Sequence, residues 1–191
     1  MPHPLIGQPA PPLSLPDTTG ETYNLTPGQN GAPIALFFYP KAGTYGCTKE
    51  ACQFRDAIAE KGTFGGRNVQ VVGISGDTVE KQKEFKEKNG LTYPILSDGK
   101  GEARKAYHVG KGLLGLVDAR VTFIIDSQGI VRDALDATMN YGAHTKFVNK
   151  WLEKLDAETK GGEGGSESTP AAETNNAPAT TESAPAVAAT A

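Results

Sequence analysis

The chain has 191 residues, a formal net charge of −3, 38 % hydrophobic residues and 21 % charged residues, enough for one domain with a real core. Five glutamates and one lysine put −4 on residues 157–191, which leaves the first 156 residues at +1 and excludes a field for nucleic acid. No apolar run approaches a membrane span, no apolar segment follows Met1-Pro2-His3-Pro4 as a secretory signal would require, and two cysteines do not make a disulfide scaffold.

In chain order, residues 1–12 are proline-rich and predicted to be extended. Leu13-Ser14-Leu15 alternates, Asp17-Thr18-Thr19-Gly20 makes a turn, and Thr22-Tyr23-Asn24-Leu25 alternates again, which predicts a small β-hairpin. Residues 34–39 are a continuous apolar run rich in aromatic and branched side chains, bounded by Pro33 and Pro40. That suits a strand buried on both faces. Pro40 stops it, and Gly43 and Gly46 give the following segment a loose backbone. A helix is predicted from about residue 47 to 61, near Gly62.

Val69–Ser75 reads as a second buried strand. Asp77 or Thr78 can cap the next helix, whose lysines and glutamates form a solvated face and which stops at Asn89-Gly90. Tyr93–Ser97 is a short strand, and Gly101–Tyr107 one or two helical turns. Gly110–Leu116 is a glycine-rich loop that lacks the Gly-Lys-Ser/Thr ending of a phosphate cradle. Val121–Asp126 and Ile130–Leu135 form a hairpin about Ser127-Gln128-Gly129. Between Gly142 and Leu155, the spacing of Phe147, Val148, Trp151, Leu152 and Leu155 fits an amphipathic helix closing over the sheet. The chain divides into a domain over 1–157 and a Gly/Ser/Thr/Ala/Pro/Glu tail over 158–191. The tail is too poor in large apolar side chains to offset its ordering entropy and is predicted disordered.

Cys47 follows the Pro/Gly loop and enters the helix. Unpaired N–H groups and the helix dipole favour a thiolate there, and the thiolate is the reactive form. Cys52 comes five residues later. On a regular helix two such Cα atoms lie roughly 8 to 9 Å apart, whereas a disulfide wants less than about 7 Å. The two thiols either are unrelated or bridge only when that turn unwinds.

Pro40-Lys41-Ala42-Gly43-Thr44-Tyr45-Gly46-Cys47 resembles the Pro-x-x-x-Thr-x-x-Cys signature of peroxiredoxins. The run from Gly46 to Asp56, with its second cysteine five residues on, is similar to the peroxiredoxin Q, or bacterioferritin-comigratory-protein, branch: atypical two-cysteine enzymes, here fungal-like with a low-complexity tail. Gly112–Gly115 and Arg120–Asp126 extend the likeness, which covers most of residues 5 to 155. It implies an α/β, thioredoxin-like fold with a central mixed sheet flanked by helices and an N-terminal β-hairpin. It also implies thiol-dependent reduction of hydrogen peroxide and organic hydroperoxides. Cys47 is then the peroxidatic nucleophile, forming a sulfenic acid, and Cys52 the resolving thiol that closes a Cys47–Cys52 disulfide recycled by thioredoxin.

By the same likeness Thr44 and Arg120 bind the peroxide and the sulfur, Pro40 shields the sulfur, and Glu50 orients the arginine. Outside the motif these residues would read as a helix cap, an ion-paired arginine, a strand stop and an ion-paired acid. No metal, haem or flavin is called for, and two cysteines without a histidine pair make a poor zinc site. His3, His108 and His144 are scattered and read as surface or packing residues. Tyr45 departs from the family, which usually has proline there. With no secretory signal, no membrane span and only two cysteines, an intracellular, cytoplasmic protein in a reducing compartment is expected, and the resemblance implies a monomer. A nuclear address, known in some fungal relatives, is left open, with no basic cluster to mark it. A redox-sensing interaction protein switched by the same disulfide is the alternative, separated from the enzyme by peroxide turnover.

Overall fold

The computed structural model describes residues 2–61 and 63–162. β1 (Leu13–Pro16) and β2 (Thr22–Leu25) form the expected hairpin, with Leu13 opposite Leu25 and Pro16 opposite Thr22. There follow β3 (Ile34–Phe38), α1 (Tyr45–Ala59), β4 (Gln70–Ser75), α2 (Val79–Asn89), β5 (Ile95–Ser97) and α3 (Glu102–Ala106). Next come β6 (Lys111–Gly112), β7 (Val117–Asp118), β8 (Val121–Ile125), β9 (Val131–Asp136) and α4 (Tyr141–Gly162).

Five strands make one sheet in the order β5-β4-β3-β8-β9. β3 runs parallel to β4, and β4 to β5; β8 is antiparallel to both β3 and β9. β3 is the middle strand and every residue of it is buried, as its unbroken apolar run requires. Side chains alternate across a strand, so β3 feeds two cores. Ile34, Leu36 and Phe38 pack with the hairpin and α3, among Leu13, Leu25, Ala103 and Tyr107. Ala35, Phe37 and Tyr39 pack under the other helices, among Phe54 of α1, Phe85 of α2 and Val148 and Leu152 of α4. Phe37 stacks on Phe54 with ring centroids 4.6 Å apart. Gly73 opposite makes room for it: a Cβ there would meet Phe37 Cζ at 2.7 Å and Ile95 Cδ1 at 2.8 Å.

Three segments differ from the sequence reading. Residues 4–7 are a turn rather than extended chain, because Gly7 N–H bonds the Val131 carbonyl at 2.8 Å and Val131 N–H returns to Gln8 at 2.9 Å, tying the N-terminus to the start of β9. Gly110–Leu116 is no open loop; β6 and β7 pair around a 3-10 turn at Leu113–Gly115. The last helix continues through Gly162, so residues 158–162 are helical where composition suggested tail. Arg132 of β9 holds Glu158 at 3.0 Å, and the Thr159 hydroxyl donates to the Leu155 carbonyl at 2.9 Å. The disorder expected of the tail lies, for residues 163–191, outside the described residues.

The sheet brings the β3–α1 connection to the carboxyl ends of the parallel strands. Asp77, just past β4, accepts from Ala42 N–H at 2.6 Å and from the Ser75 hydroxyl at 2.8 Å. Arg104 of α3 donates to the Tyr39 carbonyl at 3.0 Å. The residue-40 turn is thereby pinned from both sides of the sheet.

Candidate active site

α1 starts two residues earlier than the sequence suggested. Thr44 is its N-cap, in an extended conformation (φ −77°, ψ 154°) that ends the loop and starts the helix. Its hydroxyl makes no capping bond; it donates instead to the Lys41 carbonyl at 3.0 Å. Cys47 is then the third helical residue, still within the first turn, where backbone N–H groups lack intrahelical partners.

Cys47 is 1 % exposed. Arg120, which immediately precedes β8, donates from Nη2 to its sulfur at 3.3 Å. The same guanidinium ion-pairs through Nη1 with Glu50 Oε2 and donates from Nε to the Thr138 carbonyl at 3.1 Å. All three faces of the fork are committed, which fixes Arg120 as a lysine could not be fixed. Gly46 lies in the helix, not in a loop, and its missing side chain matters: a Cβ there would stand 3.3 Å from Arg120 Nη2 and 3.4 Å from Tyr141 Cδ1. Glu50 has no exposed surface. Burial outweighs the Arg120 guanidinium and pushes its carboxyl up to about 8.

The sequence-derived residues fall in three places. Cys47, Glu50 and Arg120 come together in one buried cluster. Thr44 and half-buried Pro40 flank it on the loop, Thr44 exposed and without a bond to the sulfur. Cys52 lies elsewhere: half-buried on another face of α1, its sulfur stands 3.9 Å from Asn89 Oδ1 of α2. Both thiols are free and α1 is unbroken between them. Tyr45 is 71 % exposed and meets Tyr141 edge-on at 6.1 Å between centroids, so the two helix N-termini touch at the mouth of the site.

Sequence reasoning missed one residue of the cluster. His144, read as a surface or packing residue, is fully buried beside Glu50, with Nδ1 3.6 Å from Glu50 Oε1. The signal was its place four residues before Val148, on the apolar stripe of α4.

A thiol held by a fixed cation, at the first turn of a helix delivered by the central strand of this sheet, belongs to a thioredoxin-like fold. Comparison with known proteins gives the family. Residues 6–134 match the AhpC/TSA family. A Mycobacterium tuberculosis peroxiredoxin is 42 % identical over 134 residues, 69 % of this chain and 85 % of its own length. The chloroplastic peroxiredoxin Q of Sedum lineare is 38 % identical over 149 residues, 78 % of each chain. Among solved structures, the peroxidoxin BcpB of Mycobacterium tuberculosis superposes with a TM-score of 0.67 at 40 % identity, covering 80 % of this chain and 96 % of that one. Peroxiredoxin Q of Xanthomonas campestris gives 0.63 at 27 % identity, covering 74 % and 90 %. The chain belongs to the AhpC/TSA family, in its peroxiredoxin Q/BCP branch, and is a peroxidase of the peroxiredoxin class. No helix among the described residues is long and apolar enough to cross a membrane.

Proposed function

We propose that the protein reduces hydrogen peroxide and organic hydroperoxides through Cys47 and is recycled through Cys52 by thioredoxin. The Cys47 thiolate attacks the terminal peroxide oxygen and the O–O bond breaks. The leaving oxygen takes a proton as water or alcohol, and Cys47 becomes a sulfenic acid. The Cys52 thiolate then attacks the sulfenic sulfur; an S–S bond forms and hydroxide leaves, protonated to water. A dithiol reductant, itself oxidised to a disulfide, returns both thiols by exchange.

The transition state spreads negative charge over sulfur and two oxygens, and needs oriented donors that are already in place. The observation that carries the reading is the Arg120 Nη2–Cys47 Sγ contact at 3.3 Å in a buried cluster. Glu50 and the Thr138 carbonyl hold that guanidinium still. Thr44, at the loop end, offers a hydroxyl to the peroxide, and Pro40 walls the sulfur from bulk water. Resolution requires the first turns of α1 to unwind, since Cys52 sits against α2. The protein acts as a monomer in this scheme, and inside the cell, where a dithiol reductant is available.

The test is steady-state turnover of hydrogen peroxide and of organic hydroperoxides with thioredoxin and its reductase. Cys47→Ser abolishes turnover. Cys52→Ser reacts once, keeps a sulfenic acid and forms no intramolecular bond. Normal turnover of Cys52→Ser with thioredoxin would remove its resolving role.

A further inference from the structure

His144 is fully buried, and the peroxide chemistry above makes no use of it. Its Nε2 stands 3.2 Å from the Ala137 carbonyl. A carbonyl only accepts, so the ring hydrogen is on Nε2 and Nδ1 carries a lone pair. The Thr122 hydroxyl, also fully buried, donates to that lone pair at 2.8 Å. Glu50 Oε1 stands 3.6 Å from Nδ1, beyond hydrogen-bond distance. This oxygen is buried and has no hydrogen-bond partner among the described residues, while Oε2 of the same carboxyl holds Arg120.

An ionised Glu50 would thus leave a bare carboxylate oxygen in a dry site, beside a ring nitrogen that has no hydrogen to give it. Two acceptors with no hydrogen between them are costly where water cannot intervene. A proton on Oε1 removes the conflict, because the buried carboxyl then carries no charge that lacks a donor. A proton on the ring instead would set a second cation beside Arg120, and burial together with that guanidinium holds His144 down to about 4.

The charges agree. With a Cys47 thiolate, an Arg120 cation and a neutral Glu50, the cluster is neutral. With Glu50 ionised, one guanidinium serves two anions, Glu50 on Nη1 and Cys47 on Nη2. The other titratable groups facing the cluster leave this count unchanged. Tyr39 just past β3, Tyr93, beyond Ala51 on the β5 side, and Tyr141 of α4, at the mouth, are all held above the ordinary phenol range, Tyr39 and Tyr93 by burial and Tyr141 by its hydrogen bond with Tyr45.

We propose that Glu50 keeps a proton on Oε1, where His144 presents a ring nitrogen with no hydrogen to offer a carboxylate, and that this proton reserves the Arg120 charge for the Cys47 sulfur and the peroxide. His144 is thereby a positioning residue for the reaction. The proposal rests on the peroxidase reading for its kinetic arm only.

The kinetic arm is the rate constant for oxidation of reduced full-length protein by hydrogen peroxide, from pH 6 to 9.5, by stopped flow. The wild-type rate falls roughly tenfold on the alkaline side as Glu50 loses its proton and draws Arg120 away. Glu50→Gln has no such alkaline fall. In His144→Gln, the amide N–H can donate to the ionised carboxylate, so the fall moves to lower pH. A merely structural role for His144 would lower the rate equally at every pH and leave the midpoint in place. The second arm needs no turnover: an infrared difference spectrum at neutral pH contains the C=O band of a buried carboxylic acid, and Glu50→Gln lacks it. A flat wild-type profile above pH 7, or a spectrum without that band, overturns the proposal. The band in a protein without peroxidase activity would sink the functional reading and leave the proton where it is assigned.

Discussion

Tyr93→Phe isolates the unwinding of α1 from the chemistry. Tyr93 is 4 % exposed, and its hydroxyl donates to the Ala51 carbonyl at 2.8 Å. Ala51 lies between the two cysteines, so this bond clamps the very turn that must open for Cys52 to reach Cys47. The carbonyl keeps its place in the helix ladder, so removing the hydroxyl leaves no orphaned acceptor. A buried hydrogen bond of this kind contributes about 1 kcal/mol net. If the opened turn is the species that forms the disulfide, its population rises about fivefold when that bond is lost. Disulfide formation from the sulfenic acid speeds up by the same factor, and over-oxidation to sulfinic acid at a fixed peroxide dose falls correspondingly. The first reaction with peroxide is unchanged, since Tyr93 touches neither the sulfur nor Arg120. Rapid quench with a thiol-blocking reagent, followed by mass spectrometry, counts sulfenic acid, disulfide and sulfinic acid in one experiment. A disulfide rate equal to wild type, in a variant whose denaturation shows the bond is gone, would refute the claim that opening of this turn limits resolution.

Arg120→Met removes an oriented donor from the sulfur, and the peroxide step slows by about 10²- to 10³-fold in single-turnover kinetics. It also leaves Glu50 buried without its partner, a loss on the order of 3 to 5 kcal/mol by urea denaturation if the carboxyl stays ionised, and less if it is protonated. Gly73→Ala pushes a methyl into Phe37 and Ile95 and lowers stability by roughly 1 to 3 kcal/mol with the site intact. Stability against pH carries two opposed slopes. His144 is held down to about 4, so the unfolded chain binds its proton first and stability drops as pH falls from 6.5 toward 4. Glu50 is held up to about 8, so the folded chain keeps a proton the unfolded one releases, and stability drops as pH rises from 4.5 toward 8. Above pH 6.5 only the Glu50 slope remains of the two, roughly 1.4 kcal/mol per unit, and Glu50→Gln flattens it in denaturation curves taken at pH 6.5, 7.25 and 8.

Much of this protein is written locally. The apolar run at 34–39, the alternation in the N-terminal hairpin, the turn at Ser127-Gln128-Gly129 and the stripe on α4 are read from neighbouring residues and need no knowledge of the rest of the chain. The loop signature and the Cys47–Cys52 spacing are local too, and helix geometry alone says that the two thiols cannot bridge across a regular turn. Arg120 and Glu50 were legible only through family likeness, because nothing in a solitary arginine says that it will cross the sheet to a cysteine seventy-three positions earlier.

The tertiary structure decided the rest. Pairing of β3 with β8 sets Arg120 beside α1, and packing of α4 sets His144 on the far side of Glu50. Those contacts join residues that are distant in sequence, and a local pattern cannot encode them. Gly46 illustrates the limit: the sequence suggests a flexible loop residue, whereas the fold needs it small so that the Arg120 guanidinium and the Tyr141 ring can approach the first turn of α1. Local periodicity fixes which atoms are available; the three-dimensional meeting of α1, β8 and α4 fixes which of them share a proton or a charge, because burial is a property of the assembled fold and not of any one segment.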